Sequence, residues 1–166
     1  ATNELIERRL QVQKNNNTCS KSNGYIGGDI KLQETKDKIL NEVNLYKEQE
    51  KDIDFLTATP PCQGISLANH KKTKSDKQRN SLVLESILLT KEILPRVFIF
   101  ENVRNFLKTI CTDKDGEDKR IDETIFNHLS NNFVINSQLL NFKNFGVPSS
   151  RTRTLVIGVR NDVVNI

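Results

Sequence analysis

The run Arg96-Val97-Phe98-Ile99-Phe100 constrains the fold more than any other stretch. It is continuous, apolar, β-branched and aromatic, the pattern of a strand buried on both faces of a parallel sheet. Ahead of it, Ser81 to Leu94 carries Leu82, Ile87, Leu88 and Ile93 at helical spacing and stops at Pro95. Ahead of that lies a shorter β-prone run, Ile53-Asp54-Phe55-Leu56. Strand, helix and strand in that order predict a parallel crossover. The rest of the chain continues the alternation. Helices are expected at Glu4 to Lys14, with Leu5, Ile6 and Leu10 on one face, and at Lys36 to Glu50, with Ile39, Val43 and Tyr46 on one stripe. A short strand is expected at Tyr25 to Ile30, running into Gly27-Gly28, a short helix at Ile121 to Leu129, and strands at Phe133 to Leu140 and Thr154 to Val159. The predicted fold is α/β, a doubly wound, mostly parallel Rossmann-like sheet with helices on both faces.

With 166 residues the chain fits one domain and can bury a core. No apolar run is long enough to cross a membrane, and the amino terminus lacks a signal-peptide pattern, so an intracellular, cytoplasmic protein is expected. Cys19, Cys62 and Cys111 lie far apart with no paired spacing, which indicates neither a disulfide framework nor a zinc site. The net charge of +4 and pI near 9.0 permit a nucleic-acid partner. The chain contains no Met and begins at Ala1, so a fragment is expected.

Chemistry concentrates in Thr57-Ala58-Thr59-Pro60-Pro61-Cys62-Gln63-Gly64-Ile65-Ser66. Two prolines after a buried strand fix φ twice and end the sheet pairing, so Cys62 projects from the strand's carboxyl edge, where open α/β sheets place their ligands. A lone cysteine is more often a small buried hydrophobe, but the neighbours here favour reactivity. The basic segment Lys71, Lys72, Lys74, Lys77 and Arg79 is opposed only by Asp76 and suits a phosphate-facing lid as well as a solvated loop. Glu101 ends the second strand in step with the first, which suggests a shared rim. Arg151 and Arg153, two residues apart, should share a face and clamp a phosphate or a base edge. Asp29 reads first as a turn residue bonding its own backbone. Asp113 to Arg120 reads as a polar loop whose Gly116 arrives too early for a calcium site, and no metal is expected.

A thiolate near arginines and a carboxyl can add to carbon 6 of a pyrimidine and make carbon 5 nucleophilic. At these residues the chain resembles the DNA (cytosine-5) methyltransferase family. Pro60-Pro61-Cys62-Gln63-Gly64-Ile65-Ser66 matches its Pro-Cys-Gln motif, Glu101-Asn102-Val103 its Glu-Asn-Val motif, and Gly146-Val147-Pro148 with Arg151 and Arg153 its Arg-x-Arg motif. The resemblance implies Cys62 as nucleophile, Glu101 acting at ring nitrogen 3, and Arg151 and Arg153 on the flipped cytosine and the backbone. It implies S-adenosylmethionine as methyl donor, held by Glu4 at the ribose, Asp29 and Ile30 at the adenine, and Pro60 and Leu82 through apolar contact. On the DNA side it implies Gln63, Ser66 and the loop from Lys71 to Arg79, which in the family closes over the extruded base.

The family's first glycine-rich motif, target-recognition domain and last motif are absent from the sequence, and Ser149 stands where the family usually has Gln. Residues 1–166 therefore resemble a partial catalytic domain of an S-adenosylmethionine-dependent methyltransferase fold, with a complementary half as an expected partner. A tRNA cytosine-5 methyltransferase and a non-catalytic nucleic-acid-binding fragment are the alternatives. A thymidylate synthase-like enzyme is disfavoured because Gln63 follows the cysteine where that family has His.

Overall fold

The computed structural model describes residues 26–61 and 74–164, and the side chains of 74–81 lie outside that description. Glu4, Cys62, Gln63, Ser66, Lys71 and Lys72, with the predicted helix at 4–14, fall outside the described residues. For Lys74, Lys77 and Arg79 the backbone alone is described.

Three helices and six strands form the described fold. In chain order they are α1 (Gln33–Glu48), β1 (Phe55–Ala58), α2 (Lys74–Ile93), β2 (Val97–Val103), β3 (Ile110–Thr112), β4 (Asp118–Arg120), α3 (Ile121–Leu129), β5 (Phe133–Asn141) and β6 (Thr152–Arg160). The main sheet has the order β1-β2-β6-β5, and β3-β4 form a separate hairpin. β1 and β2 run parallel, joined through α2 as the apolar runs predict. β6 lies antiparallel between β2 and β5, so the described sheet is mixed, whereas a mostly parallel one was expected. The reason is local. A 3-10 turn, Phe142–Phe145, ends at Gly146 in the left-handed region with φ 76°, which turns β5 back into β6 within a few residues.

β2 alternates half-buried and fully buried positions, with Phe98, Phe100 and Asn102 on the buried side. Phe98 and Phe100 join Val156 of β6, Val83 and Ile87 of α2, and Ile121, Ile125 and Leu129 of α3 in one core. The spacing of Ile121, Ile125 and Leu129 keeps them on one helical stripe. Each such side chain contributes about 1.5–3 kcal/mol by leaving water. A second, smaller cluster packs Val43 of α1 against Leu89 and Ile93 of α2, with Ile30, Ile53 and Leu56 at its edge.

Several elements differ from expectation. Residues 26–32 form a bend and a turn, not a strand. A Cβ on Gly28 would lie 2.4 Å from Thr35 Oγ1, so glycine is what lets this segment fold against the first turn of α1. β1 begins two residues later than the predicted run. α2 begins at Lys74, within the basic segment, so that segment is partly helical and not wholly a loop. The loop from Asp113 to Arg120 closes a hairpin, with Gly116 at φ 82° donating its N–H to Asp113 O.

Candidate active site

The register brings three strand ends to one edge. β2 leaves the sheet at Val103 opposite Arg153 of β6, and β5 brings Leu140 opposite the same Arg153. β1, parallel to β2, exits there too, at Ala58, and leads into Pro60 and Pro61.

Glu101 and Arg153 meet at this edge. Arg153 Nε lies 3.0 Å from Glu101 Oε1, with both side chains half-buried. Neighbouring strands bring the two side chains together. Arg151 does not join them. It precedes the first residue of β6, is exposed, and pairs with no carboxylate among the described residues. Ser149 Oγ accepts the Arg151 N–H at 3.3 Å, which supports this loop through a short side chain where the family usually has the longer Gln.

Asn102 was not singled out from the sequence, and it is the best-engaged polar residue of the edge. It is 5% exposed. Its Nδ2 donates to Pro60 O at 2.9 Å, and its Oδ1 accepts the Val103 N–H at 2.8 Å. A backbone carbonyl beyond a strand end still calls for a donor, and Asn102 provides one to Pro60. The backbone two residues ahead of Cys62 is thereby tied to the strand that carries Glu101. The signal in the sequence was an amide on the same strand face as Phe98 and Phe100, since a buried Asn needs partners. Thr154, 4% exposed, adds a second tie, with its Oγ1 3.1 Å from both Val103 O and Arg104 O.

Of the expected donor residues, Asp29, Ile30, Pro60 and Leu82 fall among the described ones. Ile30 is half-buried in the cluster that includes Leu56 of β1. Asp29 Oδ1 accepts the Lys31 N–H at 3.0 Å, the turn contact expected of it, while its side chain remains 47% exposed. Pro60 is buried and Leu82 half-buried. Lys36 of α1 and Glu85 of α2 pair at 2.5 Å and join the helix that follows Asp29 to the one that carries Leu82.

Cys111 stands apart from the site. It is 1% exposed, its Sγ lies 3.4 Å from Thr124 Oγ1, and burial pushes its thiol up. Among the described residues no group of three or more His, Cys, Asp or Glu could hold a metal ion, and no helix is long and apolar enough to cross a membrane.

A parallel strand pair, one strand leading into Pro-Pro and the other ending in Glu-Asn-Val, with an antiparallel arginine strand beside it, defines a Rossmann-like α/β fold. The chain matches the C-5 cytosine-specific DNA methylase family over residues 1–166, and it belongs to that family. It is 33% identical over 118 residues to the orphan methyltransferase M.SPRI of Bacillus phage SPR, covering 71% of this chain and 25% of that protein. It is 28% identical over 157 residues to the type II methyltransferase M1.HgaI of Avibacterium volantium, covering 93% of this chain and 42% of that protein. Among solved structures, a DNA modification methyltransferase encoded within a prophage (E. coli) superimposes with a TM-score of 0.58 at 26% identity, over 82% of this chain and 33% of that one. The chain thus spans well under half the length of these relatives.

Proposed function

We propose that this chain carries the central catalytic part of an enzyme that transfers a methyl group to carbon 5 of cytosine in double-stranded DNA. The observation that carries the reading is the joint placement of Glu101, Arg153 and the Pro60 carbonyl at one sheet edge, two residues ahead of Cys62. S-adenosylmethionine supplies the methyl group. The exposed Asp29 carboxylate and the apolar Ile30, Pro60 and Leu82 have the chemistry to hold its adenosine end, an amine-bearing aromatic ring.

The Cys62 thiolate adds to carbon 6 of the flipped cytosine, while the Glu101 carboxyl gives a proton to ring nitrogen 3, taken back when the adduct collapses, and so draws electron density away from carbon 6. Arg153 orients Glu101. Carbon 5 gains nucleophilic character, takes the methyl group, and then loses its proton to solvent. The Cys62–carbon 6 bond breaks, which restores the thiolate and the aromatic ring. Gln63, Ser66 and the basic residues Lys71, Lys72, Lys74, Lys77 and Arg79 face the DNA in this reading, and a complementary portion provides target recognition and the glycine-rich donor loop.

The test is a denaturing-gel trap with the complete protein, S-adenosylmethionine and a duplex bearing 5-fluorocytosine, whose fluorine blocks the final elimination. A shifted covalent band, lost in Cys62→Ser, is expected. No band with DNA, or a band formed with tRNA alone, overturns the reading.

A further inference from the structure

The edge that carries Glu101 and Arg153 also holds an excess of positive charge that the methyl-transfer steps do not use. Resting on the reading above, we propose that Arg104 and Lys143, on either side of Arg151, extend the backbone contact implied for Arg151 into a phosphate-binding ridge beside the flipped cytosine.

Register places the three together. Arg104 follows Val103, the last residue of β2, and its carbonyl accepts from Thr154 Oγ1 of the neighbouring β6 at 3.1 Å. Arg151 immediately precedes β6, and its carbonyl accepts the Phe142 N–H at 3.0 Å. Lys143 stands two residues beyond Asn141, the last residue of β5, which pairs with Thr152. Three adjacent strands therefore present one cation each at the same end of the sheet.

Among the described residues these charges are uncompensated. Arg104, Lys143 and Arg151 are all exposed, and no described carboxylate lies within ion-pairing distance of them. The segments that bear them, 102–109 and 141–153, contain no Asp or Glu. The one carboxylate of the edge, Glu101, is taken up by Arg153. Lys36, Lys38, Arg96, Lys119, Arg120 and Arg160 each face a carboxylate, whereas other surface lysines such as Lys47 and Lys51 face none among the described residues but are not gathered at one sheet edge. Exposed, unpaired guanidinium and ammonium groups in a row suit a polyanion, and guanidinium suits phosphate in particular. The ridge lies at the ends of β2, β5 and β6 that meet at this edge.

The experiment measures binding of a fluorescein-labelled duplex by anisotropy across a NaCl series, using the complete protein and the double variant Arg104→Gln/Lys143→Gln. Two lost phosphate contacts are expected to flatten the log–log salt slope by about 2, since each contributes roughly 0.9. The charge-retaining Arg104→Lys/Lys143→Arg keeps the wild-type slope. Lys47→Gln/Lys51→Gln removes equal charge near the amino end of β1 and also leaves the slope unchanged. Methylation by Arg104→Gln/Lys143→Gln shows a raised KM for DNA with kcat retained. An unchanged slope, or an equal loss in the Lys47/Lys51 variant, overturns the ridge. The 5-fluorocytosine trap on the same wild-type preparation separates the two claims: an adduct with an unchanged slope overturns the ridge alone, and no adduct overturns both.

Discussion

Asn102 shows how one buried amide can set the geometry of a site it does not complete. Its donor and its acceptor are both used, on Pro60 O and on the Val103 N–H, in a position 5% exposed. Replacing it with alanine removes both hydrogen bonds from a buried position, at a cost of about 1–3 kcal/mol. Asn102→Asp is the sharper probe. It keeps an oxygen for the Val103 N–H but points a second, charged oxygen at the Pro60 carbonyl. Urea unfolding should place both variants below wild type, with the aspartate no better than the alanine. A substitution that left the midpoint within 0.5 kcal/mol of wild type, on the order of a neutral surface change, would remove Asn102 from this role. The sequence showed Glu101 and Arg153 readily, because a carboxylate ending an apolar strand and an arginine starting another are visible without contacts. The different fates of Arg151 and Arg153 were not visible, because they depend on β6 starting at Thr152 and on which neighbour is Glu101.

At the scale of the element, β6 carries the largest burden, since it pairs on both sides and has Gly158 in its middle. Glycine in a strand interior weakens it unless something approaches closely. Here a Cβ at residue 158 would lie 2.0 Å from Cε1 of Phe98, directly across the sheet in β2. Phe98 cannot retreat, because its ring packs 4.8 Å from Phe100 and 5.1 Å from Phe133, centroid to centroid. Gly158→Ala should therefore cost roughly 1–3 kcal/mol through overpacking. Coupling it with Phe98→Leu should recover part of that loss, which thermal melts of the single and double variants would show. Equal melting points for Gly158→Ala and wild type would mean the strand shifts to make room. Elements with a strong period were legible: α3 spans the residues its apolar stripe predicts, and the β1-α2-β2 crossover follows from two apolar runs and the helix between them. The β3-β4 hairpin was not, because its strands are three residues long and polar at the turn, too short to show alternation.

At the scale of the whole molecule, two ionic nodes hold segments that the cores do not. Arg160, at the end of β6, bonds Asp52 ahead of β1, Asp162 and the carbonyl of Leu94 after α2. These contacts hold the carboxyls of Asp52 and Asp162 below the usual carboxylate range. The second node joins the hairpin to α3. Asp113 Oδ1 lies 2.7 Å from His128 Nε2, its Oδ2 accepts from Lys119 Nζ at 3.1 Å, and its side chain is 6% exposed. Burial pushes the Asp113 carboxyl up, but the hydrogen bonds from His128, the Lys114 N–H and Lys119 together outweigh it and hold it low. A carboxyl with a depressed folded value stabilises the fold fully above its unfolded value, 3.8 for Asp113, and that stabilisation is lost as pH falls below 3.8 toward the folded value. The fold should accordingly lose stability on acidification through this window, where these aspartates protonate together. Asp113→Asn removes one of them. It should be less stable than wild type at pH 7, because Lys119 and His128 lose an anionic partner, and its stability should fall less steeply as pH drops below about 4. Urea midpoints of the two proteins at pH 7, 5, 4 and 3 measure this directly. Parallel curves would place the acid sensitivity in the Arg160 node instead. Converging curves would tie it to the buried aspartate between the hairpin and α3, a contact between segments that a reading of local patterns had left as separate elements.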